Sequence, residues 1–73
     1  MRAVIDDAYR NHKRLARITI SDEHNTTVVS ILTEKVYIIP MVKGYILELF
    51  HNHGNKLFAR ILASNYEDCR RLK

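Results

Sequence analysis

From Leu15 the chain acquires a period of two: Ala16, Ile18 and Ile20 alternate with Arg17 and Thr19, and their branched side chains favour extended backbone. A segment patterned in this way has one dry face and one wet face, so it needs neighbouring strands and an apolar layer to cover it. Seventy-three residues supply one such layer and one domain, because a chain this short buries only roughly 60% of its unfolded surface. Its single cysteine, Cys69, has no internal partner. The core is therefore expected to hold without a covalent staple, in a reducing, cytoplasmic setting.

On either side of this strand the periodicity changes. Residues 3–13 place Val4, Ile5, Ala8, Tyr9 and His12 at helical spacing, with Asp6 and Asp7 early and Lys13 and Arg14 late. That order suits a helix dipole and predicts an N-terminal helix. Ser21-Asp22-Glu23-His24-Asn25 reads as a turn, residues 26–32 as a second strand, Thr33-Glu34-Lys35 as a short loop and residues 36–39 as a third strand. Pro40 ends it, having no N–H to give to a ladder. Connections this short predict an antiparallel meander.

Residues 45–50 read as a helix closed by Gly54, or as a strand. Beyond them Leu57, Phe58, Ile61, Leu62, Tyr66 and Cys69 recur at helical spacing. Asn55 can cap that segment, and Ala59 and Ala63 favour helix. The fold class predicted is α+β: an N-terminal helix, a three-stranded antiparallel meander, and one or two C-terminal helices. The competing reading pairs residues 45–62 as a hairpin turning at Asn52-His53-Gly54-Asn55, with a short helix boxed by Ser64 and Glu67. It yields a small β-barrel with an N-terminal helix.

Composition is that of a globular chain, 47% hydrophobic and 27% charged, which excludes disordered and collagen-like classes. No stretch reaches the roughly 20 apolar residues of a membrane helix. Ala3, Val4 and Ile5 run straight into Asp6 and Asp7, which breaks a signal-peptide core. A soluble, unprocessed protein without a membrane partner is expected. Twelve Lys and Arg against eight Asp and Glu give a formal charge of +4, a balance that suits polyanions. The cations gather as Arg10, Lys13, Arg14 and Arg17 between the first helix and first strand, and as Arg70, Arg71 and Lys73 near the end. Phosphates reward such clusters, because each contact releases a condensed counterion. The plainer alternative is that cations at helix C-termini answer the dipole and stay solvated.

Tyr9, Phe58 and Tyr66 fall on apolar faces of the expected helices and are assigned to the core. Tyr37 points opposite to Val36 and Ile38 and is the candidate for stacking on a base. The candidate nucleic-acid-binding residues are thus Arg10, Lys13, Arg14, Arg17, Tyr37, Arg70 and Arg71.

Histidines invite two further readings. His51 and His53 have the spacing that brings imidazoles to one side of an extended chain, yet a zinc site needs three or four ligands, and His12, His24 and Cys69 lie in distant segments. No metal or other cofactor is expected. His24, beside Asp22 and Glu23, has the surroundings of a general base. A small ribonuclease is the reading that residue permits, but no second base, nucleophile pair or glycine-rich phosphate loop accompanies it.

The order helix, three antiparallel strands, helix resembles the double-stranded-RNA-binding domain and the small HicA-type toxins built on it. Where those families carry glycine-serine-histidine or lysine-rich helix starts, this chain reads Asp22-Glu23-His24-Asn25 and Asn55-Lys56. On the hairpin reading the chain resembles a small Sm-like or SH3-like barrel, also a frequent nucleic-acid scaffold. The function expected is a small, non-enzymatic, RNA- or DNA-binding or regulatory protein. The alternative is a protein-interaction module: an inhibitor that binds an acidic protein through the same cations, or a homodimer that buries the broad apolar content of residues 36–50.

Overall fold

The computed structural model describes residues 1–51 and 56–70. They form seven strands and no helix: β1 (Arg2–Arg10), β2 (Lys13–Ser21), β3 (Thr27–Thr33), β4 (Lys35–Pro40), β5 (Tyr45–His51), β6 (Lys56–Ala63) and β7 (Asn65–Asp68). The α+β expectation is overturned, and the topological resemblance to the double-stranded-RNA-binding domain falls with it. The barrel reading also loses its N-terminal helix.

Residues 3–13 become most of β1, a two-residue turn and the start of β2. Their spacing satisfies a helix, but Ala3 and Ile5 satisfy a period of two equally well. The turn decides between them. Arg10 faces Lys13 across a loop in which Asn11 (φ 51°) and His12 (φ 63°) both take positive φ, as a type I′ hairpin turn requires. Asparagine and histidine tolerate that region better than most side chains.

The first sheet has the order β3-β2-β1-β7: β1 runs antiparallel to β2 along its whole length and parallel to β7, which returns from the far end of the chain. The second sheet, β4-β5-β6, is antiparallel throughout. In the turn between β2 and β3, Asp22 Oδ1 accepts the backbone N–H groups of His24 and Thr26, each at 2.9 Å. Asn25 takes the positive φ of 61° that closes it.

The expected meander is corrected as well, since β3 and β4 belong to different sheets. Thr33-Glu34-Lys35 holds no Gly, Asn, Asp or Pro to drive a reversal, and the chain bends there from one sheet into the other. Thr33, only 2% exposed, fastens this corner: its hydroxyl proton is shared between the carbonyls of Lys35 (3.0 Å) and Phe50 (3.2 Å). A second corner, at Ser64, carries β6 into β7. Ser64 gives both its backbone N–H (2.8 Å) and its hydroxyl (2.7 Å) to the Met1 carbonyl. The expected capping box is replaced by these bonds and by an ion pair of Glu67 with Arg2 at 2.6 Å.

The helices expected over residues 45–50 and 57–69 are likewise strands. β5 and β6 pair from Tyr45↔Ala63 to His51↔Lys56, with a bulge at Leu49/Phe50. Gly54 and Asn55, the expected caps, lie outside the described residues.

Ala3, Ile5, Ala16, Ile18 and Ile20 of the first sheet meet Leu47, Leu49 and Ala63 of the second in one buried cluster, flanked by Ile31, Val36, Ile38, Ala59 and Ile61. Tyr45 and Tyr66 close one end across the two sheets, ring centroids 4.8 Å apart and edge to face. Tyr9, Phe58 and Tyr66, assigned to the core on helical spacing, are 72%, 39% and 36% exposed. Phe58 alternates outward with Arg60 and Leu62, whereas Tyr9 and Tyr66 lie near strand ends, where the core no longer covers them. No helix among the described residues is long and apolar enough to cross a membrane.

Candidate nucleic-acid interface

Where the β1–β2 turn, the β3–β4 corner and the end of β5 meet, a cleft of about 340 Å³ opens, lined by Arg10, Asn11, Lys13, Leu15, Leu32, Thr33, Glu34 and His51. The type I′ turn sets Arg10 directly beside Lys13, and the corner brings Glu34 into an ion pair with Lys13. Arg10 and Arg17 make no ion pair among the described residues. In the ladder Arg17 lies between Asp6 on β1 and Leu32 on β3.

Arg14 leaves this group. Its Nε sits 2.9 Å from Asp7 Oδ1, and it lines a neighbouring cleft of about 240 Å³ together with Asp7, Glu34 and Arg70. Arg70 is committed locally too: Nε and Nη2 donate to the two oxygens of Asp68 at 2.9 and 2.7 Å, and its backbone N–H donates to the same carboxylate at 3.1 Å. Arg71 lies outside the described residues. The two cation clusters read from the sequence are thus divided among the described residues. Arg10 and Lys13 line the larger cleft with Arg17 next in the ladder, while Arg14 and Arg70 hold carboxylates beside it.

Arg70's side-chain bonds hold the Asp68 carboxyl below the usual carboxylate range; partial burial opposes this, and the backbone N–H of Arg70 adds to it. The folded state therefore binds the Asp68 proton less readily than the unfolded chain. The pair stabilises the fold above the ordinary carboxylate value of 3.8 and loses that contribution as pH falls through the lowered value. Asp68→Asn is expected to be less stable than the parent at about pH 7, with the difference closing towards about pH 2. Urea melts at both pH values measure it, and a gap that persists in acid would contradict the assignment.

Tyr37 stands half exposed on the outward face of the second sheet, with Lys35 Nζ 5.3 Å from its ring centroid and Phe50 edge-on at 5.3 Å. His51 stacks on Phe58 at 4.4 Å with an interplanar angle of 24°. Lys35 pairs with Phe50 and His51 with Lys56, so cations and rings share the end of the second sheet that adjoins the cleft. The sequence candidates omit Phe50, Phe58 and His51, whose placement follows from the alternation of β5 and β6 that a helical reading hides, and Leu32, which lies on β3.

His53 lies outside the described residues, and among those described no group of three His, Cys, Asp or Glu is placed to hold a metal. Next to His24, the Asp22 carboxylate serves the backbone of its turn, and His24 itself is exposed. Comparison with protein-family models, curated proteins and solved structures finds no match for this chain.

Proposed function

We propose that this protein binds single-stranded nucleic acid at the end of the fold that carries the Arg10–Lys13 cleft. The observation that supports it most is the lining of that cleft: Arg10, Asn11, Lys13 and His51 share it with the apolar Leu15 and Leu32, and the one acid, Glu34, is paired with Lys13 among the described residues. Donors for phosphate oxygens beside an apolar surface, with rings on the adjoining sheet, match what a single strand offers once its bases are unstacked. Arg10 and Arg17 are the principal phosphate contacts. Lys13 contributes less, because Glu34 already shares its charge. Tyr37 and Phe58, both partly exposed, supply ring faces. Arg14 and Arg70 serve the structure, since a phosphate would have to displace Asp7 or Asp68. The reading is of binding without bond-making: Thr33, the one hydroxyl side chain in the cleft among the described residues, is already donating to backbone carbonyls.

Fluorescence anisotropy with labelled single-stranded RNA, double-stranded RNA and double-stranded DNA tests it. The single strand is expected to bind most tightly and to retain binding at near-physiological salt. Arg10→Ala with Arg17→Ala is expected to weaken every sequence about equally and to flatten the plot of log affinity against log salt by about 1.4, the value for two lost single-strand phosphate contacts. Arg14→Ala should leave affinity unchanged. Equal effects of Arg10→Ala and Arg14→Ala, or loss of all binding at near-physiological salt, would overturn the proposal.

A further inference from the structure

One residue in the lining of the Arg10–Lys13 cleft belongs to a type whose charge is not fixed. His51 ends β5, is exposed, and lines the cleft with Arg10 and Lys13. Its ring stacks on Phe58, with centroids 4.4 Å apart and planes inclined by 24°. Histidine is the side chain whose ordinary charge change falls between about pH 5 and 8, whereas lysine and arginine side chains ordinarily stay charged across that range. The number of cations that a strand meets in this cleft therefore depends on the medium.

The charged neighbours of His51 come from every element that meets there. Arg10 on β1 and Lys13 on β2 stand opposite each other across the type I′ turn. Glu34, at the β3–β4 corner, is the one carboxylate of the lining among the described residues, and it is paired with Lys13. Lys56 on β6 is the cross-strand partner of His51, and Lys35 on β4 is that of Phe50. On its own strand, Glu48 is committed to Arg60 at 2.9 Å. Three other groups of types that titrate in the same range lie elsewhere among the described residues. His12 belongs to the β1–β2 turn but not to the lining, while His24 and the Met1 ammonium group lie at the opposite end of β2 and β1. A phosphate entering the cleft gives an imidazolium an opposite charge to face, which favours the protonated form of a histidine. An aromatic face beside the ring favours a cation as well.

We infer that the binding of a single strand in this cleft is regulated by pH through His51. With its proton, His51 adds one phosphate contact to those of Arg10 and Arg17; without it, the residue offers a neutral ring. The inference rests on the binding proposal and adds the regulation of the same site. Binding tightens as the pH falls from about 8 to about 5.5, and at intermediate pH the complex takes up a proton as it forms. Salt dependence carries the signature. Each single-strand phosphate contact contributes about 0.7 to the slope of log affinity against log salt, so the slope at the lower pH is steeper by that amount.

The test is a pair of salt titrations, at about pH 8 and about pH 5.5, followed by the anisotropy of a labelled oligouridylate, whose bases and phosphodiesters keep their charge between those values. The parent slope is expected to steepen by about 0.7 at the lower pH. His51→Gln, folded by circular dichroism, is expected to show one slope at both pH values. His51→Lys places a fixed cation at the same position and is expected to show the steeper slope at both. His12→Asn keeps a residue that tolerates positive φ in the turn and is expected to steepen as the parent does. A parent slope that is the same at both pH values overturns the inference and leaves the binding proposal standing, as does a steepening that survives in His51→Gln or is lost in His12→Asn. Absence of binding at both pH values overturns the two together.

Discussion

Replacing Leu47 by alanine is expected to cost about 2–5 kcal/mol, the range for deleting a fully buried leucine from a core that can only partly collapse around the gap. Leu47 is 0% exposed on the central strand of its sheet and belongs to a core in which, among the described residues, the other large, fully buried side chains are Ile5, Ile18 and Leu49. A chain of 73 residues has about 4–11 kcal/mol of stability in total, so this one change removes a large share of it. Thermal melts should show the midpoint falling by at least about 10 °C. Val28→Thr is the control: Val28 is 63% exposed, the swap keeps the branched shape, and the expected change is within about 0.5 kcal/mol. If Leu47→Ala melted within a few degrees of the parent, the two sheets would not share the core described.

Gly44→Ala is expected to be nearly as damaging, for a backbone reason. Gly44 has φ +93°, a conformation side chains rarely adopt, and a Cβ built there would lie 2.5 Å from the Ala63 carbonyl oxygen. Neither difficulty relaxes cheaply. The φ is set by a turn whose Met41–Gly44 bond closes β4 onto β5, and the obstructing atom is backbone at the corner that carries β6 into β7. Strain and displacement together are expected to cost about 3 kcal/mol or more, lowering the melting midpoint by roughly 12–24 °C. A midpoint unchanged by Gly44→Ala would show that the turn can take another shape. Lys43→Ala, one residue earlier and exposed, is expected to leave it within about 0.5 kcal/mol.

Of the candidate site, Arg10 and Lys13 are legible in the sequence, because residues this close along the chain stay near one another in the fold, and Arg17 follows them on the same strand. The other half of the cleft was hidden. Leu32, Glu34 and His51 reach it only because β3 bends at its corner and β5 ends beside the β1–β2 turn. Arg14 and Arg17 looked equivalent in sequence, yet one holds Asp7 and the other makes no ion pair among the described residues. Counting charges gives no warning of that difference, which depends on which carboxylate the register brings within reach.

By itself the sequence determined what local chemistry can decide. The alternation of Ala16, Ile18 and Ile20 sets the dry face of β2. Asp22 and Asn25 are the residues that an Asx-stabilised turn requires, and Pro40 ends β4 because it cannot donate to a ladder. Tertiary structure decided the identity of residues 3–13 and 57–69, where the periods of helix and strand both fit the apolar positions. What selects strand there is pairing between distant segments: β1 takes β2 on one edge and, on the other, β7, with Arg2 in register with Asn65. A helix would satisfy the backbone of either segment from within. The two sheets can cover Ile5, Ile18, Leu47 and Leu49 together only when β1 and β6 are extended, because in this fold the apolar core is built from the inward faces of both sheets.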